Sequence, residues 1–258
     1  MNKFYQEKYF NSPIFQYDYA PIADAIVKSY NPKKIIEFGC GSGQLSKALG
    51  KRGVAVLALD GYAKPDFSGY DSIKFQSLDL NDETGVSQFL SQLNETYDLA
   101  VSLEVAEHLQ PTISFSLIKW MTGVADVVVF SAAVPKQSGD GHINCRTHLD
   151  WYKDFQANHF VIADTIRGQF RHHVNVGMWY KTNTIDYVKA GSVFDKPALR
   201  EDLTERLIEA EGFAVSECFH YTHQTELRDW ALGLQPIKLA VRFRNMITRK
   251  LGKTSIDF

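Results

Sequence analysis

The segment Ile35-Ile36-Glu37-Phe38-Gly39-Cys40-Gly41-Ser42-Gly43 constrains this chain more than any other stretch. An apolar β-branched run ends in an acid, three alternating glycines follow, and Gln44 to Gly50 beyond them reads as helix. Glycine permits the tight strand-to-helix turn and lets a ligand approach bare backbone. The start of the helix offers N–H groups to a carboxylate or phosphate. A unit of this kind belongs to α/β chains that hold a nucleotide-type cofactor. A dinucleotide pattern G-x-G-x-x-G would need its third glycine at Gln44 or Ser46, depending on the register, so both registers fail. The phosphate-loop pattern G-x-x-x-x-G-K-[ST] does not occur.

Further motifs follow in order. The run from Val54 to Leu59 reads as a second buried strand ending at Asp60, roughly twenty residues past Gly39, where an acid can grip ribose hydroxyls. Asp79-Leu80 follows a strand-like run over Ile73 to Ser77, Tyr97 to Ser102 precedes Glu104-Val105-Ala106-Glu107-His108-Leu109, and Val127 to Phe130 leads into Ser131 to Pro135 and Gly141-His142-Ile143-Asn144. With E-x-G-x-G-x-G at the front, this series resembles the class I S-adenosylmethionine (SAM) dependent methyltransferases over about residues 30–190. The block from Ser131 to Asn144 resembles a bacterial subgroup associated with sugar and polysaccharide modification.

The resemblance implies SAM as cofactor and S-adenosylhomocysteine (SAH) as product. It assigns Glu37 to the methionine end, with Gly39, Gly41 and Gly43 giving close approach. Asp60 takes the ribose, Asp79 and Leu80 the adenine edge, and Leu103 and Glu104 the methionine and sulfonium side. For a hydroxyl acceptor a base must remove the proton, and an imidazole suits that task. His142 is the first candidate, with Asn144 to orient it or the substrate, and His108 is the second. Asp79 reads alternatively as a cap for the helix that follows. Glu104, Glu107 and His108, with His142 or His148, also resemble the metal set of small-RNA 2′-O-methyltransferases, yet the same E-x-x-E-H occurs in metal-free enzymes, so no metal is expected.

Apolar strands alternate with amphipathic segments, as in a parallel sheet with crossover helices on both faces. Strands are predicted near 34–38, 54–59, 73–77, 97–102, 125–131, 160–166 and 179–188, and helices near 21–30, 43–50, 84–94, 112–121 and 148–157. That makes an α/β, Rossmann-like, seven-stranded sheet, mostly parallel with the last strand antiparallel. The domain spans 1–190, with an aromatic lid or pinned segment over 1–30, and 191–258 is a helical extension. Within it, 237–251 reads as a basic amphipathic helix suited to an anionic membrane surface, a partner, or docking on the domain itself.

A net charge of −2 gives no general attraction to nucleic acid, and three scattered cysteines fit a reduced compartment rather than a disulfide scaffold. A cytoplasmic protein is expected, peripheral to the inner membrane if the basic helix binds there. The expected activity is O-methylation of a sugar hydroxyl in a bacterial surface or capsular glycan. A quinone or secondary metabolite is the small-molecule alternative. A nicotinamide oxidoreductase is disfavoured by the glycine spacing, and a SAM-binding scaffold without turnover stays open.

Overall fold

The computed structural model describes residues 17–197. Residues 198–258 of the expected extension over 191–258, including the basic segment 237–251, and residues 1–16 of the aromatic segment 1–30 lie outside the described residues.

The chain runs α1 (Ala20–Tyr30), β1 (Lys34–Phe38), α2 (Gln44–Gly50), β2 (Ala55–Asp60), β3 (Ile73–Ser77), α3 (Glu83–Ser91), β4 (Leu99–Leu103), a 3₁₀ turn (Ala106–His108), α4 (Pro111–Val124), β5 (Val127–Ser131), α5 (His148–Ala157), β6 (Phe160–Ile162), α6 (Arg167–Phe170), α7 (Met178–Asn183) and β7 (Ile185–Lys189). The seven strands form one sheet in the order β3-β2-β1-β4-β5-β7-β6. The first five are parallel, and β7 lies antiparallel between β5 and β6. This is the seven-stranded Rossmann-like sheet that the sequence pattern implies.

The central strands are apolar on both faces because helices cover both. Successive residues of β1 point opposite ways. Ile36 and Phe38 join the core under α3, α4 and α5, while Ile35 packs with α1, α2, α6 and α7. Local chemistry sets the helix ends. Pro21 starts α1, and Asn31 stops it in the left-handed region with its N–H on the Val27 carbonyl. Asp82 caps α3 by accepting from the Gly85 N–H, and Thr147 caps α5 by accepting from the Asp150 N–H.

Two expected strands, those over 160–166 and 179–188, are half as long as predicted or less. β6 stops at Ile162, because Asp164 turns left-handed (φ 44°) and the Asp186 carboxylate collects the N–H groups of Thr165 and Ile166. The run expected as strand from 179 begins instead as α7, closed by Lys181 N–H on the Gly177 carbonyl, and extends only from Ile185. Its aromatic, β-branched composition reads as strand, but Trp179 and Tyr180 pack towards Tyr17 and Tyr19. Among the described residues no helix is long and apolar enough to cross a membrane.

After β3 the chain returns to place β4 beside β1, so strand order reverses between them. The crevice at the carboxyl ends of β1 and β4 is where such a sheet binds ligands.

Candidate active site

A cavity of about 670 Å³ opens at that switch point, within the roughly 300–1,000 Å³ of small-molecule sites. Its wall includes Glu37, Gly39, Gly41, Asp60, Asp79, Leu80, Leu103, Glu104, His108 and His142. The site residues expected from the sequence are therefore gathered in one place except Gly43, Asn144 and His148, which are absent from that wall. Gly43 caps α2 in the left-handed region, and a side chain there would strike the Phe67 ring at 2.6 Å. Gly39 is equally constrained, with φ 78° and Val105 only 2.5 Å from where a Cβ would stand.

Asp60 ties the loop to the sheet. Its Oδ2 accepts from the Gly41 N–H at 2.9 Å, and Oδ1 accepts from Tyr62 and Ala63 N–H at 2.8 Å each. A carboxylate has about four acceptor positions, so one remains at Oδ2 for a ligand hydroxyl. Asp79 is not the helix cap, a role Asp82 fills. It closes a local turn on Asn81 N–H at 2.9 Å and receives the Tyr62 hydroxyl at 2.8 Å.

Glu37 is buried and takes the Ser46 hydroxyl, and burial pushes its carboxyl up to about 8. Glu104 stands in the left-handed region (φ 55°), a position that costs a non-glycine residue roughly 1–3 kcal/mol. Its N–H bonds the Ser131 carbonyl at 2.9 Å, and its carboxylate accepts from Gln137 Nε2 at 3.0 Å and Asn183 Nδ2 at 3.1 Å. Burial raises its pKa as well. Glu107 is fully buried, and burial, then the Glu104 charge, push its carboxyl well above the usual range.

The loop carrying His142 is pinned to this acid, since Ile143 and Asn144 N–H donate to the Glu107 carbonyl at 2.9 and 3.0 Å. His142 Nε2 lies 4.0 Å from Glu107 Oε1, and its ring centroid is 4.9 Å from that of His108. The Gln137 carbonyl, 3.2 Å from Nδ1, selects the tautomer with the proton on Nδ1 and the lone pair on Nε2. Burial lowers the His142 pKa, and it takes His108 to about 4, with the neighbouring imidazole second. Ligand atoms of Glu107, His108 and His142 all lie within 4.8 Å of one another.

Asn144 does not reach the imidazole or the cavity wall. Its amide donates to Ser114 Oγ at 2.8 Å and the Ala106 carbonyl at 3.3 Å, fastening the loop to α4. His148 lies outside the cavity wall. Sequence reasoning missed Gln137, Gly139, Tyr62, Tyr180 and Asn183, polar or small residues in loops and on short helices without a motif. Tyr19 was visible only as one of a row of aromatics.

The family model described as "Methyltransferase domain" matches residues 15–173. The ubiquinone biosynthesis O-methyltransferase of Parvibaculum lavamentivorans is 24% identical over 89 residues, 34% of this chain and 35% of that protein, so the chain spans about a third of the curated relative it matches. Among solved structures, magnesium protoporphyrin IX methyltransferase from Synechocystis PCC 6803 with bound SAM is similar at 19% identity and TM-score 0.48, covering 71% of this chain and 95% of that one. A Burkholderia thailandensis 1,6-didemethyltoxoflavin-N1-methyltransferase with bound SAH is similar at 14% identity and TM-score 0.49, covering 71% and 83%. With a family model matching well over half its length on a seven-stranded Rossmann-like sheet, the chain belongs to the methyltransferase domain family, whose class I fold uses SAM as methyl donor.

Proposed function

We propose that this protein transfers a methyl group from SAM to a hydroxyl, with His142 as general base and a sugar hydroxyl of a bacterial surface or capsular glycan as the leading acceptor. The observation that carries the proposal is the placement of His142 in the wall that also holds Glu37 and Asp60, its Nδ1 proton held by the Gln137 carbonyl. Nε2 is then the basic nitrogen. Because burial lowers its pKa, the imidazole is neutral and ready to accept a proton at pH 7.

SAM, when bound, supplies a methyl already activated on a sulfonium. The chain aligns the acceptor oxygen and removes its proton as the O–C bond forms. Gly39 and Gly41 let the ligand approach the loop, Asp60 has an acceptor position for a ribose hydroxyl, and Glu37 and Glu104 face the ammonium and sulfonium charges. The glycan acceptor rests on the resemblance of the Ser131 to Asn144 block; the name of the Parvibaculum relative would instead favour a quinone.

A second arrangement is favoured by one observation. The compact Glu107, His108 and His142 set has the donor chemistry of a divalent-cation site. In that case His142 would be a ligand and not the base.

The test follows labelled methyl from SAM into host extract, separated into lipid-linked glycan, nucleotide-sugar, small-molecule and RNA fractions, with and without EDTA. Label in a glycan fraction, lost in His142→Ala and indifferent to chelator, is the expected result. Loss of activity in EDTA with recovery in Mg²⁺ would establish the cation arrangement, and bound SAM with no label anywhere would leave a scaffold. We also place the protein in the cytoplasm, with 237–251 a candidate for membrane or partner contact and 191–258 a helical extension; fractionation of a tagged chain lacking 237–251 checks the contact.

A further inference from the structure

The end of the cavity beside Glu37 and Glu104 suits a positive group, yet an α-amino acid carries both charges on one carbon. Seating an ammonium against these acids brings its carboxylate beside them, and that carboxylate needs N–H or O–H donors of its own. No lysine or arginine lines the cavity among the described residues. The amides of the glycine loop are largely committed. Gly39 and Cys40 N–H both donate to the Leu59 carbonyl, at 2.8 and 2.9 Å, Gly41 N–H to Asp60 Oδ2 at 2.9 Å, and Gly43 N–H to the Cys40 carbonyl at 2.9 Å.

Two tyrosines supply donors of the right kind. The hydroxyls of Tyr19 and Tyr180 are 2.8 Å apart on two buried side chains that line the same cavity. Two phenols carry two protons, and the bond between them uses one, so the second is left for a ligand. Burial first, with the Glu37 and Glu104 charges adding to it at Tyr19 and the Glu104 charge at Tyr180, raises both phenols, so the pair stays protonated.

The pair is held in advance of binding. Asp18 N–H donates to the Asn175 carbonyl at 3.0 Å, Tyr17 packs edge-on against Trp179 at 5.0 Å, and the Tyr19 and Tyr180 rings lie 5.4 Å apart. A donor fixed before the ligand arrives loses little freedom on binding.

We propose that the Tyr19–Tyr180 hydroxyl pair binds the carboxylate of the methionine moiety of the cofactor, which makes the segment before α1 and the helix α7 parts of the SAM site. This rests on the assignment of the cavity to SAM.

The test measures binding of two ligands by calorimetry: SAH, and S-adenosyl-3-thiopropylamine, which keeps the ammonium and lacks the carboxylate. Tyr19→Phe and Tyr180→Phe each retain the ring and delete one hydroxyl. Each is expected to weaken SAH about tenfold or more while leaving the thiopropylamine within about twofold. Equal weakening of both ligands would show that the hydroxyls only fasten the N-terminal segment to α7, and would overturn the proposal. No weakening of SAH in either variant would overturn it too. Thermal unfolding of each variant checks that the fold is intact, and either variant suffices if the other unfolds. Failure of the unsubstituted protein to bind both ligands would sink the cofactor assignment and this proposal with it, whereas equal binding of the two would sink this proposal alone.

Discussion

Raising the pH from 6 to 8 should tighten cofactor binding about fifty-fold, and Glu37 is the reason. Its carboxyl is pushed up to about 8, chiefly by burial, with the Asp60 charge adding to the shift and the Ser46 hydroxyl opposing it. An ammonium needs the ionised carboxylate as its partner. With a pKa near 8 the ionised fraction is about 1% at pH 6 and about half at pH 8, so the apparent dissociation constant falls by roughly that ratio. The sign follows from the raised pKa: below it the empty site holds a proton that binding must expel, and above it nothing is expelled. Calorimetric titration with SAH across pH 6–9 measures the slope, and repeating it in buffers of different ionisation enthalpy counts the protons, about one released near pH 7. Glu37→Gln should bind weakly at every pH without the slope. A dissociation constant flat between pH 6 and 8 would refute this account, and a slope that persists in Glu37→Gln would move the titration to Glu104.

Four other perturbations follow from the geometry. Gly139→Ala places a methyl 2.2 Å from His142 Nε2, a collision the imidazole relieves by turning away, so methyl transfer should fall about 10²–10⁴-fold with SAH affinity and unfolding temperature nearly unchanged. Asp186→Ala removes the acceptor of Thr165 N–H, Thr165 Oγ1–H, Ile166 N–H and the Tyr30 hydroxyl, and should cost about 3–5 kcal/mol in urea unfolding, with cofactor affinity per folded molecule preserved. Asn183→Ala deletes a donor to Glu104 Oε1 and to Gln137 Oε1, and should raise the KM for SAM several-fold while leaving the pH dependence assigned to Glu37 intact. In competition assays, neutral glycosides should outperform their phosphate esters as acceptors, because the wall near His142 carries Glu107 and Asp140 and no lysine or arginine among the described residues.

The central sheet was legible because its strands are buried on both faces. Runs such as Leu99–Leu103 and Val127–Ser131 have to be largely apolar whatever surrounds them, so composition alone marks them. Glu37, Asp60 and Glu104 were legible for a related reason, since each stands at or just past the carboxyl end of a strand, where the topology puts the ligand. Trp179 and Tyr180 were misread for the opposite reason. Aromatic and β-branched residues favour a strand in isolation, and only contact with Tyr17 and Tyr19, far away in sequence, turns the segment into a helix against the cavity. Asn144 failed in a similar way: beside His142 it reads as a substrate amide, but Ser114 and the Ala106 carbonyl take its donors. The Gln137–Glu104–Asn183 linkage joins residues separated by 33 and 79 positions, and no local pattern encodes such a meeting.

The acids around the cavity share one electrostatic problem. Glu37, Glu104 and Glu107 are removed from water at a cost, and no lysine or arginine of the described wall offsets them. Protonation is one way to lower that cost, the direction in which burial pushes all three carboxyls, and a cationic ligand is the other. SAM brings two positive centres, an ammonium and a sulfonium, and its arrival lets the same carboxyls ionise. Methyl transfer then erases one of these charges, because the sulfonium becomes a neutral thioether. The attraction holding the product is weaker by that amount, most of all beside Glu104 if the sulfonium lies where we propose. A wall of under-neutralised acids therefore favours the donor before reaction more than the product after it, which is the asymmetry a turnover cycle needs. The amides of Gln137 and Asn183 hold that carboxylate in place before the ligand arrives.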